Sequence, residues 1–528
     1  VSDQFFLFFM ILSIFCFRNI FLFVIAGLQN EASVKEFLDR FPLPVIINAL
    51  QTKAEVPGLE NALVACLERI FKTKYGASLI PQYMPFLQVG LQADSGAVKC
   101  LACRTVCCLF ENLNDGSVPP AQLILAYDIY PPLLDCLVNG DEHLATAAMD
   151  AIINLARSPE GIAIIFPAAG DEAIDLRHLA TKCSSLGRVR VLALIVKLFS
   201  VSQSVASVIC RSNLLDLMET EVSKTDDTLA TLSTLELLFE MAEVEHASEF
   251  LPKTHLLQLL NSIISNSSVE SILRSRAMMI SGRVLSRESI FTYIDEPRVL
   301  EIVSAIERRF ASCEVIDDNE CESALEAIGQ LGSSTHGAEL LLLKSPDAAR
   351  FLVNAAFDRQ RRGKQLAALH ALGNIAGENR SQNNILLKRE AEESLRRLIY
   401  ETASRTSKLT PSGLLLSVLQ QESEIRLAGY RLMSGLVARP WCLVEVCSKQ
   451  EIINIVTDAY IESTKIGMEA RYNCCLSIHQ ALAQSSNLKN DSALAAISAK
   501  VQEAVKRGPY LAQMHREARP AIMTEQRF

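Results

Sequence analysis

The sequence predicts an all-α protein built from tandem helical repeats, and three observations support this fold class. Hydrophobic residues make up 49% of the 528 residues and charged residues 21%, which provides apolar material for an extended core and excludes disordered and collagen-like chains. Short Ala-rich segments of helical character recur at a nearly constant spacing. No run of alternating apolar and polar residues competes with them, so we expect strands to be absent or marginal.

Ten segments share one pattern, in which small residues precede a larger apolar residue that we call the anchor. They are ALVACLERIF (62–71), LACRTVCCLF (101–110), AAMDAIINLA (147–156), RVLALIVKLF (190–199), ATLSTLELLF (230–239), RAMMISGRVL (276–285), SALEAIGQLG (323–332), AALHALGNIA (367–376), AGYRLMSGLV (428–437) and ARYNCCLSIH (470–479). The anchors are Ile70, Leu109, Leu155, Leu198, Leu238, Val284, Leu331, Ile375, Leu436 and Ile478.

The anchors are separated by 39, 46, 43, 40, 46, 47, 44, 61 and 42 residues. Armadillo and HEAT repeats have periods of about 40–47 residues, so eight of the nine steps fit this class. A single repeat of this kind cannot bury its own apolar face, whereas stacked repeats share one continuous core. The sequence therefore predicts an armadillo/HEAT-like helical repeat solenoid, wound as a right-handed superhelix, over residues 31–513.

Breaker residues separate the helices of each repeat. Gly161, Gly337 and Gly377 predict turns, and Pro159 falls between helices rather than inside one. The step of 61 residues contains SRTSKLTPSG (404–413), which we interpret as an inserted loop. Small residues in the repeated segments allow neighbouring repeats to approach closely; they are Ala147, Ala148, Ala230, Ala277, Ala324, Ala367, Ala368, Ala428 and Ala470.

The first thirty residues differ from the repeats. FFLFFMILSIFCFRNIFLFVIAG (5–27) is long enough to cross a bilayer. Asp3 replaces the positive flank of a signal peptide, and Arg18 lies mid-segment, where it costs about 3 kcal/mol. Two interpretations stay open, a membrane anchor and a truncated or wrongly joined N-terminus. Without an anchor we expect no membrane association. At the other end, residues 514–528 form a C-terminal tail.

Charge and cysteine usage restrict the partners. Lys and Arg number 51 against 60 Asp and Glu, a net charge of −9, which argues against nucleic acid and favours a basic or neutral protein partner. The 15 cysteines lie mostly in apolar runs and predict reduced, buried thiols, hence a cytoplasmic location with the nucleus as an alternative. One basic cluster is read as a solvated helix start, with an import signal or docking patch as the alternative; it comprises Arg359, Arg361, Arg362 and Lys364.

Motifs for catalysis, cofactors and metals are missing. The sequence has no GxxxxGK[ST], GxSxG, HExxH or strand-borne GxGxxG, so we predict a non-enzymatic protein without a cofactor. Cys475 and His479 could provide only half of a metal site. Four other thiols form a stripe along one helix instead of surrounding a point, which favours core thiols; they are Cys100, Cys103, Cys107 and Cys108.

The functional surface of such an array is its groove. In each repeated segment, the residues one and five positions before the anchor point away from the packed face. If these helices line the concave side, their side chains form one polar ladder for a protein partner. The predicted binding residues are Arg104, Asp150, Asn154, Lys197, Arg283, Glu326, Gln330, His370, Asn374, Arg431 and Asn473, with Ser233 in the same register.

The C-terminal third carries a family resemblance. It contains EIRLAGYRLMSGLVARPW (424–441), IVTDAYIESTKIGMEARYNCCLSIHQAL (455–482) and KRGPYLAQ (506–513). A helix ending before Pro440 and Trp441, a charged segment at 464–471 and Gly-Pro-Tyr at 508–510 follow one another as in the 26S proteasome non-ATPase regulatory subunit 5 family, which this region resembles. The resemblance implies a non-catalytic chaperone that binds an ATPase subunit of the proteasome base during assembly of the 19S regulatory particle.

A generic armadillo-repeat adaptor for transport, ubiquitin ligation or the cytoskeleton is the alternative. An importin-type groove would carry rows of Trp and Asn residues, repeated along successive helices. Here Asn precedes an anchor only at Asn154 and Asn374, and the single Trp, Trp441, lies beyond the repeated helix. No U-box or F-box segment is evident.

Overall fold

The computed structural model describes residues 30–52, 58–112, 119–167, 175–224, 227–310, 318–381, 384–484 and 492–510. These ranges are helical and contain no strand, which confirms the all-α prediction. The chain divides into two compact units, Val1–His246 and Ala247–Phe528. The predicted apolar segment 5–27 and the predicted tail 514–528 lie outside the described residues.

The first unit is a succession of helices joined by short connections. They are α1 (Glu31–Arg40), α2 (Leu43–Gln51), α3 (Leu59–Phe71), α4 (Lys74–Leu79), α5 (Met84–Leu91), α6 (Gly96–Asn112), α7 (Pro120–Ala126), α8 (Tyr130–Asn139), α9 (Glu142–Leu155), α10 (Pro159–Ile165), α11 (Leu176–Lys182), α12 (Ser185–Val201), α13 (Gln203–Arg211), α14 (Leu215–Ser223) and α15 (Thr228–Glu243), with a 3₁₀ turn at Ile80–Tyr83.

The second unit continues the same design. Its helices are α16 (Ala247–Phe250), α17 (Leu256–Ser265), α18 (Ser271–Leu285), α19 (Glu296–Phe310), α20 (Asp318–Leu331), α21 (Thr335–Lys344), α22 (Pro346–Phe357), α23 (Arg362–Ala376), α24 (Arg389–Arg405), α25 (Pro411–Leu419), α26 (Ser423–Leu436), α27 (Pro440–Ser448), α28 (Gln450–Thr457), α29 (Lys465–Gln484) and α30 (Ser492–Arg507), with 3₁₀ turns at Leu251–Lys253 and Glu288–Thr292.

One helix in each repeat carries the predicted anchor, and we call these the ladder helices. They are α3, α6, α9, α12 and α15 in the first unit and α18, α20, α23, α26 and α29 in the second. Within each unit, every ladder helix packs against the next one. All ten anchors are buried, with exposed fractions of 0–3%. The spacing of apolar residues therefore predicted both the helical repeat and the side chains that form its core.

Close approach of the ladder helices in the second unit depends on two glycines. A Cβ at Gly282 on α18 would lie 2.6 Å from the Cα of Ala327 on α20. A Cβ at Gly329 on α20 would lie 2.5 Å from the Cα of Ala371 on α23. Real Cβ atoms do not come this close to a backbone, so these helices can pack at this separation only with glycine at both positions.

Several helices begin with one four-residue motif, a Ser or Thr followed three positions later by Gly. The hydroxyl oxygen accepts a hydrogen bond from the glycine N–H at 3.0–3.2 Å, which caps the helix. The pairs are Thr73/Gly76, Ser158/Gly161, Ser184/Gly187, Ser334/Gly337, Thr410/Gly413 and Thr464/Gly467.

This motif corrects two predicted turns. Gly161 and Gly337 are the third residues of α10 and α21, and the turn itself lies just before each capping serine. A Cβ at Gly161 would overlap the carbonyl oxygen of Leu155, because α10 starts tightly against the end of α9. Gly377 does end a helix, since it follows α23 with a φ of +90°, a conformation that favours glycine.

The longest repeat, between the anchors Ile375 and Leu436, is lengthened mainly outside the predicted insertion at 404–413. Residues 377–388 join α23 to α24, a longer connection than the one between α20 and α21, and α24 has 17 residues against ten in α21. Within 404–413, Ser404 and Arg405 end α24, and Pro411 begins α25. The non-helical part of the stretch is the short connection 406–410, because the Thr410 cap and Pro411, a residue suited to a first helical turn, start a helix there.

None of the described helices is long and apolar enough to cross a membrane singly. The helices α7 and α8 together have the required length and apolar composition, but their axes are bent by 82° at the break between them.

Candidate functional site

The ladder positions of the second unit lie on the outward side of successive ladder helices. Glu326 and Asn473 are exposed. Arg283, Gln330, His370, Asn374 and Arg431 are half-buried. His370, Asn374 and Arg431 bond to neighbouring segments, and Gln330 bonds to Glu326 on its own helix. Two second-unit members of the predicted row are thus exposed, while several others also hold the helices together.

Three side chains form one hydrogen-bonded cluster between α23 and α26. Arg431 pairs with Glu378 through two hydrogen bonds of 3.3 and 3.0 Å, and its Nη1 lies 3.2 Å from Nδ1 of His370. A guanidinium can only donate, so Nδ1 accepts and the imidazole is neutral. Burial lowers the pKa of His370 below its usual value of 6.5, and the positive charge of Arg431 acts in the same direction while Glu378 opposes it.

The amide side chains link α20 and α23. Nδ2 of Asn374 donates to the carbonyl oxygen of Gly329 at 3.2 Å, and its Oδ1 accepts from Asn379 at 3.3 Å. Nε2 of Gln330 donates to Glu326 at 3.2 Å, while the Gln330 Oε1 has no hydrogen-bond partner. Both ends of the Asn374 amide are therefore hydrogen-bonded within the second unit, whereas the exposed carboxylate of Glu326 can accept further hydrogen bonds.

In the first unit the ladder charges pair with neighbouring ladder helices. Arg104 forms an ion pair with Glu68 on α3, and Lys197 forms one of 2.8 Å with Glu240 on α15. Asp150 is exposed. Ser233 is half-buried and donates its hydroxyl to the Leu229 carbonyl at 2.8 Å. The row has mixed charge, as predicted from the sequence.

One predicted groove residue is not on the surface. Asn154 is only 8% exposed, and its side chain hydrogen-bonds to the thiol of Cys107 on α6. The prediction was wrong here because the last turn of α9 is covered by the preceding ladder helix, which helical periodicity cannot reveal. The cost of burying the amide is offset by this hydrogen bond.

The basic cluster at the start of α23 is largely neutralised within the second unit. Arg361 pairs with Asp318 at 3.0 Å, and Arg362 pairs with Glu422 and Glu424 at 3.0 and 2.6 Å. Nζ of Lys364 lies 4.6 Å from the ring centroid of Phe351. Arg359 is exposed. These contacts favour the interpretation as a charged helix start over a free basic patch.

Comparison with known proteins identifies the family. The sequence profile of a family described as "Proteasome non-ATPase 26S subunit" matches residues 60–526, which is most of the chain and includes every ladder position. The chain belongs to this proteasome non-ATPase subunit family. No curated protein matches it at a significant level.

Solved structures give only distant likenesses to this proteasome family member. One engineered protein has a TM-score of 0.41 at 16% identity, covering 87% of this chain and 98% of that chain. A designed armadillo repeat protein, solved in complex with the peptide (KR)4, has a TM-score of 0.33 at 13% identity, covering 55% of this chain and 99% of that chain.

The described cysteines of this proteasome family member are free, and most are buried. Cys103 hydrogen-bonds to Cys136, the thiol of Cys100 lies 3.7 Å from the His143 carbonyl oxygen, and that of Cys475 lies 3.8 Å from the Val501 carbonyl oxygen. Burial raises the pKa of Cys66 and of Cys442 to about 12, so these thiols stay protonated. Among the described residues, no group of three or more His, Cys, Asp or Glu side chains could hold a metal ion.

Sequence reasoning missed the partners of the ladder residues. Glu68, Glu240 and Glu378 lie outside the register of one and five positions before an anchor, yet each pairs with a ladder arginine or lysine. The pairings of Glu68 and Glu240 could have been predicted from the sequence. Each is an acidic residue on a ladder helix, about one repeat away from its basic partner, Arg104 or Lys197. Glu378 follows the end of α23, where helical periodicity no longer applies.

Proposed function

We propose that this protein is a non-catalytic chaperone of the regulatory subunit 5 type, which binds an ATPase subunit of the proteasome base while the 19S regulatory particle is assembled. The observation that carries the proposal is the match of residues 60–526 to the proteasome non-ATPase subunit family. The C-terminal motifs at 424–441, 455–482 and 506–513 add the resemblance to subunit 5. A stack of helical repeats suits such a role because it spreads many modest contacts over one partner domain.

The ladder of the second unit supports a partner that donates hydrogen bonds. Glu326 offers an exposed carboxylate, which accepts one hydrogen bond from Gln330 and has capacity for more. The net charge of −9 acts in the same direction over longer range by attracting basic surfaces. We infer that lysine, arginine or amide side chains of the ATPase meet Glu326.

We propose the cytoplasm as the site of action. The free, mostly buried thiols among the described cysteines support a reducing compartment.

Affinity purification of the tagged protein from cells, with identification of co-purifying subunits, tests the proposal. We expect an ATPase subunit of the proteasome base to co-purify. Recovery of transport, ubiquitin-ligation or cytoskeletal proteins without any proteasome ATPase would instead support the generic adaptor.

A second experiment tests the surface. Glu326→Lys should weaken binding of the identified ATPase subunit at least tenfold, because the substitution removes the exposed acceptor carboxylate and reverses its charge. Glu301→Lys on α19, also an exposed glutamate of the second unit, is the matched control and should leave binding unchanged. Unaltered binding of the ladder variant would place the contact on another face.

A further inference from the structure

The chain has three Ser/Thr-Pro dipeptides, each at the start of a helix: Ser158-Pro159, Ser345-Pro346 and Thr410-Pro411. Their accessibility differs sharply. Ser345 is only 6% exposed, and Ser158 is half-buried with its hydroxyl donating to the Leu155 carbonyl oxygen at 3.3 Å. Thr410 is exposed. Thr410 is thus the one exposed residue of the three, and its hydroxyl oxygen also caps α25 by accepting from the Gly413 N–H at 3.2 Å.

Thr410 lies in an exposed connection between two helices. Residues 406–410 connect α24 to α25 without helical structure. Leu409 has a φ of +61°, and Thr410 itself is extended, with φ −132° and ψ 151°. Lys408 and Leu409 next to it are exposed, Leu409 to 70%. An exposed, extended Ser or Thr before proline is the substrate pattern of proline-directed protein kinases.

We propose that Thr410 is a phosphorylation site for a proline-directed protein kinase. In the reaction, the Thr410 Oγ1 attacks the γ-phosphorus of ATP and forms a new P–O bond. The bond to the β-phosphate oxygen breaks, ADP leaves with that electron pair, and the hydroxyl proton passes to the kinase's catalytic base. The product carries about two negative charges at neutral pH, next to the exposed Lys408.

A chain of contacts connects this position to the tryptophan of the second unit. Oγ1 of Thr410 lies 3.1 Å from Oγ of Ser412, whose backbone N–H donates to Glu445 at 3.3 Å. The other carboxylate oxygen of Glu445 accepts from the Tyr400 hydroxyl at 2.9 Å, and the Tyr400 ring lies 5.7 Å from that of Trp441, the single Trp of the chain. Phosphate on Thr410 places like charge near Glu445 and thereby disturbs the contact between α24 and α27.

The test is phosphorylation of the purified full chain with ATP and a proline-directed kinase, followed by mass spectrometry of its peptides. We expect phosphate on Thr410 at a rate at least tenfold above that on Ser158 and Ser345, together with a change in Trp441 fluorescence. Thr410→Ala should abolish both effects. Thr410→Ser, which keeps the hydroxyl and the helix cap, should restore both.

An unlabelled Thr410, or equal labelling of Ser158 and Ser345, would overturn the proposal, because it would show that exposure does not select this site. Stoichiometric phosphate on Thr410 with unchanged Trp441 fluorescence would support the phosphorylation site and disprove the coupling through Glu445. Neither result depends on the proteasome partner, so the outcome is independent of the proposed function.

Discussion

Buried arginines join successive helices of the second unit at the level of single residues. Arg439 is 1% exposed and donates to the carbonyl oxygens of Ala376 and Gly435 at 2.9 and 3.0 Å, while it also pairs with Glu392. These carbonyls belong to the last turns of α23 and α26, which the helices themselves leave unpaired. Arg380 similarly donates to carbonyls just after α20; burial and nearby Arg439 lower its pKa to about 10, so it remains protonated at neutral pH.

Arg439→Met should destabilise the second unit by about 3–5 kcal/mol, because it removes the charged partner of Glu392 and the side-chain donor to two carbonyl groups. Urea unfolding followed by the fluorescence of Trp441 measures the loss next to the site. Arg397→Met, at a side chain that is 60% exposed, is the control and should change stability by less than about 1 kcal/mol. Equal effects of the two substitutions would show that burial of Arg439 contributes nothing.

His370 should make stability depend on pH. Its pKa is lower in the folded protein than the value of about 6.5 expected in the unfolded chain, so the unfolded state binds the proton first. The contribution of this residue is therefore constant above about pH 7 and is lost as the pH falls from the unfolded pKa towards the lower folded pKa. In chemical unfolding between pH 7.5 and 5, His370→Gln should show a smaller decrease than the wild type. Parallel curves would contradict the assignment.

At the scale of elements, helix starts and helix contacts are both specified by glycine. The Ser/Thr-x-x-Gly motif caps a helix and lets it begin against the end of the one before, as at Ser334 and Gly337. Gly282 and Gly329 instead bring ladder helices together. Both functions depend on the missing Cβ, so we expect glycine at Gly282, Gly329 and Gly337 to contribute more through packing than it costs in helix propensity.

Two Gly→Ala substitutions on neighbouring ladder helices should have opposite effects. Gly329→Ala should destabilise the second unit by about 1–3 kcal/mol, since its methyl group meets the Ala371 backbone. Gly373→Ala should be neutral or stabilising by up to about 1 kcal/mol, because the new methyl group would lie 3.8 Å from the Leu432 backbone, an ordinary contact. Urea midpoints of the two variants test this. A loss of stability in both would indicate that helix spacing is not the cause.

At the scale of the whole molecule, the buried anchors contribute stability, and the exposed ladder residues are where we propose that a partner binds. The anchors form the shared core of each unit, whereas the exposed ladder residues face solvent. The proteasome family match spans both units, and the right-handed superhelix stays a prediction. Because the ladder collects one or two side chains from each repeat, no single exposed residue should dominate binding.

Leu331→Ala and Ile375→Ala should each cost about 2–5 kcal/mol through lost core packing, while Glu326→Lys should stay within about 0.5 kcal/mol. Thermal unfolding monitored by circular dichroism separates the two classes. A variant in which five ladder residues are replaced together should also be less stable than the wild type, because three of them bond to neighbouring segments. The five are Arg283, Glu326, His370, Asn374 and Arg431, and the three that form these bonds are His370, Asn374 and Arg431. A stable five-residue variant would show that these bonds are dispensable.

For the candidate site, the sequence predicted which ladder residues are exposed better than it predicted which residues they hydrogen-bond to. Glu326 and Asn473 are exposed as expected because a helix of known register has a known outward face. Asn154 is buried, and His370 and Arg431 share a cluster with Glu378, which lies beyond the helix end. Such pairings join residues 36–61 positions apart across repeats, and no local pattern encodes them.

The sequence by itself determined the helical class, the repeat and its ten anchors, because apolar periodicity acts along the chain and every repeat obeys the same local rule. Tertiary structure alone decided where the capping glycines lie against preceding helices, which ladder residues bond across repeats, and that Thr410 is exposed while Ser345 is buried. These outcomes depend on the distance between helices that are remote in sequence, and that distance is set by packing of the complete stack.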